Sequence, residues 1–118
     1  MLFRSQLGLS EDRHIKNLER LADEIKMSGS KIITQLHHGG DKAVFSNDKI
    51  SCYDDTDIKV RNASKEELQE VINNYVLAAK RAEKAGFNGI EIHGANGYLF
   101  TQFLSQNTKK RKIGRAHV

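Results

Sequence analysis

Apolar positions recur along this chain with two different periods, and the switches between them order its elements. Ile15, Leu18, Ala22 and Ile25 fall at three- and four-residue steps, the spacing that lines one face of a helix. Ser10 stands where a cap belongs, Glu11 and Asp12 put negative charge at the positive end of the helix dipole, and Gly29 ends the run. Lys31 to His37 is short and partly β-branched, and reads as a strand entering Gly39 and Gly40. From Asp41 to Asn62 the chain is polar and aperiodic, which predicts a long loop where an active-site lid would sit. Ser64 and Glu67 form a capping box, and Leu68, Val71, Ile72, Tyr75, Ala79 and Ala82 continue from it as an amphipathic helix to Gly86. A strand follows at Phe87 to His93, then a short helical segment within Gly97 to Leu104.

Helices alternating with short strands predict an α/β architecture with parallel strands. Two strands do not close a parallel sheet, and a (β/α)8 barrel takes about 250 residues, so 118 residues are expected to be part of a domain. The ending Ile113-Gly114-Arg115-Ala116-His117-Val118 reads as a translation of ATC GGA AGA GCA CAC GTC, which resembles a sequencing-library adapter. Residues 1–112 are therefore taken as the partial domain and 113–118 as a non-native tail, and Arg115 and His117 receive no functional weight.

Charge changes this picture little. The formal net charge is +4, but Lys109, Lys110, Arg111, Lys112 and Arg115 cluster at the end while the helices mix both signs, so no nucleic-acid role is expected. One cysteine, Cys52, allows no internal disulfide and lies in the polar stretch, where it reads as an incidental thiol. A cytoplasmic protein with no membrane span is expected, and nothing in the pattern encodes an oligomeric state.

The chemistry concentrates at Gly89 to Tyr98. Along a strand, Ile90 and Ile92 face one side while Glu91 and His93 face the other, so an apolar face packed on helices would leave the second face armed. His93 and Asn96 offer two donors that could share one carbonyl oxygen and stabilise negative charge developing there. Tyr98 carries a phenol, a group that holds its proton at neutral pH and can act as a general acid. Each has a plainer alternative: His93 as an ordinary core or surface imidazole, Tyr98 as packing beside Leu99 and Phe103. Glu91 shares the inward face and needs a partner that the pattern does not name. Gln35 and His37 lie two apart on one side of the earlier strand, and an amide at a strand's carboxyl end suits the imide edge of a flavin or similar heterocycle. No metal is expected, because His37 and His38 are adjacent and diverge without ligand spacing to a carboxylate. Two other classes stay open on these residues alone: a non-catalytic α/β fragment or binding module, and a metal-dependent barrel hydrolase using His37, His38 and His93.

At Gln35-Leu36-His37-His38-Gly39-Gly40 and from Gly86 through Phe103 the sequence resembles the old yellow enzyme family of FMN-dependent NADH:flavin oxidoreductases and ene-reductases. That family shows Q-L-x-H-x-G, then A-G-[FA]-[DN]-G-[VI]-E-I-H-x-A-[HN]-G-Y-L-x-x-Q-F-L-S, and the resemblance runs from about Gln6 to Arg111. It implies a fragment of a TIM barrel, about two βα units around the third and fourth strands. It also implies FMN as cofactor, NADH or NADPH as hydride donor and an activated alkene as substrate. Gln35 then resembles the residue that binds the flavin pyrimidine, His93 and Asn96 the pair that grips the substrate carbonyl, and Tyr98 the proton donor. Asp41 stands where many members carry arginine, Gln106 replaces a proline after Ser105, and Lys109 replaces a common asparagine.

Overall fold

A computed structural model describes residues 6–109; the expected tail at 113–118 lies outside the described residues. They divide into two compact units, one of residues 7–36 and 69–92, the other containing 37–68 and the described part of 93–118.

In the first unit, helix α1 (Ile15–Met27) follows a single 3-10 turn (Asp12–His14). The cap is Glu11 and not Ser10: the Glu11 N–H donates to His14 Nδ1 at 3.3 Å, and the Glu11 side chain accepts from the His14 backbone. Two reciprocal bonds outcompete the single one that a serine cap could offer. The predicted stripe is real, with Ala22 fully buried and Ile15, Leu18 and Ile25 half-buried. Gly29 ends the helix at a φ of +85°, a region that glycine enters without strain.

Strand β1 (Ile33–Leu36) pairs in parallel with the strand Gly89–Ile92, in a register that sets Gln35 against Glu91. Helix α2 (Lys65–Lys84) begins at the predicted capping box, where Ser64 N–H donates to Glu67 Oε1 and Glu67 N–H to Ser64 Oγ, both at 3.1 Å. Its far end sinks Ala82 and Ala85 completely, as α1 does Ala22, and Lys26 Nζ donates to the Gly86 carbonyl at 2.9 Å. Ile90 and Ile92 do not pack as an inner face; both are exposed, on a sheet that has two strands among the described residues.

The second unit revises the expected lid loop. Within residues 41–62 lie β2 (Lys49–Ser51) and β3 (Val60–Asn62), a second parallel pair, preceded by a 3-10 turn at Gly40–Lys42. Their connection turns through Lys59 at a φ of +55°, and Asp55 and Val60 exchange two backbone hydrogen bonds of 2.8 Å. Cys52, Tyr53 and Val60 form a small core joined by Phe103 from helix α3 (Leu99–Leu104). Cys52, expected as an incidental thiol in a polar stretch, is part of this core: it is 2% exposed and its Sγ donates to the Gln102 carbonyl. The strand Gly89–Ile92 is β4, and a last turn, α4, spans Gln106–Lys109. Among the described residues, no helix is long and apolar enough to cross a membrane.

Candidate active site

Four side chains converge in the second unit. The chain leaves β4 at His93 and reverses through Ala95-Asn96-Gly97-Tyr98, where Asn96 and Gly97 have φ of +58° and +75° and the Tyr98 N–H bonds the Ala95 carbonyl at 3.3 Å. Asn-Gly is the dipeptide that best tolerates two successive positive φ values, so the local sequence dictates this tight turn. The turn brings Asn96 Nδ2 within 3.5 Å of His93 Nε2. Tyr98 stacks edge-on between two imidazoles, 5.1 Å from His93 and 4.4 Å from His37 between ring centroids.

The Ala95 N–H points at His93 Nδ1 at 3.4 Å and the Asn96 amide faces Nε2, so a donor stands at each nitrogen of the ring. His93 and Tyr98 are half-buried and Asn96 exposed, which leaves the pair reachable.

His37, which the sequence offered only as a possible metal ligand, joins this group beside Tyr98. Burial, and then the charge of His93, lower its pKa, which keeps it neutral beside Tyr98. Strand alternation was the available signal, since it turns His37 away from His38. His38 serves the backbone: its Nδ1 accepts from the Gly40 N–H at 3.1 Å and its carbonyl accepts the first N–H of α3, from Leu99. Burial pushes the His38 pKa down to about 4. Among the described residues, no three His, Cys, Asp or Glu side chains group to hold a metal ion.

Two further residues support the turn. Lys42 donates from Nζ to the Asn96 carbonyl at 3.0 Å and stands 5.7 Å over the Tyr98 ring centroid. Gln102, 4% exposed, is the hub. Its Oε1 accepts from the Asp41 N–H at 3.1 Å and the Ser51 hydroxyl at 2.7 Å, while Nε2 donates to the Gly97 carbonyl and Asp41 Oδ1, both at 2.8 Å. A Cβ on Gly40, at φ +58°, would come within 2.2 Å of this amide, so only glycine fits there. The hub role of Gln102 and the contact of Lys42 are not visible in the local pattern, because Asp41 and Ser51 lie 61 and 51 residues from Gln102, and Asn96 lies 54 residues from Lys42.

Gln35, the remaining expected site residue, belongs to the first unit, where its Nε2 donates to Glu91 Oε1 at 2.5 Å. That contact supplies the partner Glu91 needed.

A family model described as NADH:flavin oxidoreductase / NADH oxidase matches residues 1–112. The chain belongs to this family. It is 43% identical over 104 residues to an NADPH dehydrogenase of Clostridium acetobutylicum, an alignment covering 84% of this chain and 31% of that one. It is 36% identical over 116 residues to the probable NADH-dependent flavin oxidoreductase YqiG of Bacillus subtilis, covering 92% and 31%. An NADH:acrylate oxidoreductase of Vibrio harveyi is 36% identical over 119 residues, covering 92% of this chain and 12% of that protein. The crystal structure of Old Yellow Enzyme from a Pichia species superposes with a TM-score of 0.83 at 25% identity, covering 94% of this chain and 34% of that one. The chain thus spans about a third of the length of the NAD(P)H-dependent relatives named first, and its fold is a segment of their TIM barrel. Where many family members carry arginine, Asp41 is built in: it accepts from Gln102 Nε2 and from the Tyr53 hydroxyl.

Proposed function

We propose that the full-length protein is an FMN-dependent ene-reductase that reduces the activated C=C bond of α,β-unsaturated carbonyl compounds with hydride from NADH or NADPH. The observation that carries this reading is the pair of nitrogens, His93 Nε2 and Asn96 Nδ2, set 3.5 Å apart beside the Tyr98 ring. The Vibrio harveyi relative is named for acrylate, the simplest acid of this alkene class, which supports the substrate assignment.

Gln35 fits a flavin at its pyrimidine edge, because the Glu91 contact leaves its carbonyl oxygen to accept from an imide N–H. Bound FMN, once reduced by NAD(P)H, supplies the hydride delivered to the β-carbon. His93 and Asn96 hold the substrate carbonyl oxygen and stabilise the negative charge that reaches it as the C=C bond opens. Tyr98 gives its hydroxyl proton to the α-carbon, which completes the saturated product. His37, neutral and edge-on to Tyr98, keeps the phenol oriented without competing for substrate charge. The 118-residue chain alone, a third of its relatives' length, is expected to be inactive.

The test separates two half-reactions in the full-length protein. Tyr98→Phe should slow alkene-dependent reoxidation roughly 100-fold or more, as loss of a general acid does, while flavin reduction by NAD(P)H proceeds at its usual rate. Equal loss in both half-reactions would overturn the assignment.

A further inference from the structure

Gln35 and Glu91 face each other in register across β1 and β4, and their contact decides which end of the Gln35 amide a ligand can meet. A glutamine amide has no intrinsic preference: its oxygen and nitrogen ends are nearly the same size and exchange by rotation about one bond. An ionised carboxylate accepts hydrogen bonds and donates none, so only Nε2 can face Glu91. The bond is charge-assisted and 2.5 Å long, and among the described residues nothing donates to Gln35 Oε1.

We infer that Glu91 is a positioning residue that locks the Gln35 amide with its carbonyl outward, so that Gln35 meets its ligand as a hydrogen-bond acceptor. Without Glu91 the amide turns freely, and half of its orientations present an N–H where the ligand also has one. The ligand's identity as FMN rests on the proposed function; the orientation of the amide rests on the strand pair alone. Glu91 acts through Gln35 and does not touch the reacting atoms.

FMN affinity of the full-length apoprotein, followed by quenching of flavin fluorescence, and the visible spectrum of the bound flavin test this without recourse to turnover. Glu91→Gln, nearly the same in shape, should raise the Kd for FMN roughly five- to tenfold and shift the flavin absorption band. Glu91→Asp, which keeps the charge but draws the oxygen back by a methylene, should do the same. Gln35→Leu should weaken FMN binding at least as much, and adding Glu91→Gln to it should change nothing further, because the carboxylate would have no amide left to orient. An effect of Glu91→Gln that persists in full on the Gln35→Leu background overturns the inference, as does unchanged affinity in Glu91→Gln when Gln35→Leu is impaired. Failure of both Glu91 variants to fold also overturns it, since Glu91 would then be a structural strand residue. Unchanged FMN affinity in Gln35→Leu overturns the flavin contact itself, a distinct result that leaves the Tyr98 test standing.

Discussion

Asn96 carries two demands at one position, and they can be separated by substitution. Its backbone sits at φ +58°, which asparagine and glycine tolerate and alanine resists by about 1–2 kcal/mol. Its side-chain amide lies 3.5 Å from His93 Nε2, where the proposed function places it on the substrate oxygen. Asn96→Gly should therefore leave the melting temperature close to that of the parent while alkene reduction by the full-length protein falls; Asn96→Ala should lose both. Thermal melts paired with turnover would distinguish strain from chemistry. A variant Asn96→Gly with normal turnover would remove the amide from the donor pair.

Among the elements, α2 and β4 were legible because their signals are local. A capping box and a 3.6-residue stripe announce α2, and an Asn-Gly pair announces the turn after β4. β2 and β3 were hidden, being three residues each in a polar stretch, and their support comes from elsewhere in the chain. Ser51 is held by Gln102, and Arg61 forms ion pairs with Asp48 and Glu67 that no spacing rule would propose. The same reason explains why His93, Asn96 and Tyr98 could be proposed together as a site whereas the part of Lys42 and the hub role of Gln102 could not: the first three share one turn, and the others reach it through the fold. Gln102→Leu should confirm how much this support matters. It would leave the buried Ser51 hydroxyl and the part-buried Asp41 N–H and Gly97 carbonyl without this partner, at about 1–3 kcal/mol for each group that water cannot reach. Chemical denaturation should show a loss of several kcal/mol, whereas a loss below about 1 kcal/mol would mean that the hub is dispensable.

For the whole molecule, acid is the condition that should discriminate. His38 is held neutral, with its pKa lowered from 6.5 to about 4, so the unfolded chain takes up a proton at a higher pH than the folded one. Its contribution is complete above pH 6.5 and is lost as pH falls toward 4. Glu67, held down to about 2 from 4.5 chiefly by Arg61, acts in a lower window: its stabilisation is present above pH 4.5 and lost as pH falls through about 2. Only half-buried and open to screening by solvent, it adds little. Unfolding free energies measured between pH 8 and 4 should therefore decline in the full-length protein, and His38→Asn, which keeps an acceptor for the Gly40 N–H, should flatten that slope. An unchanged slope would remove His38 from the account. The hub at Gln102 has one more consequence, in time: its bonds to Asp41 and Ser51 close loops of 61 and 51 residues. Contacts that distant form slowly, after local helices. During synthesis these two links must wait for Gln102 to emerge from the ribosome, so the Asn-Gly turn is tied to Asp41 and Ser51 only after α1 and α2 have had time to wind.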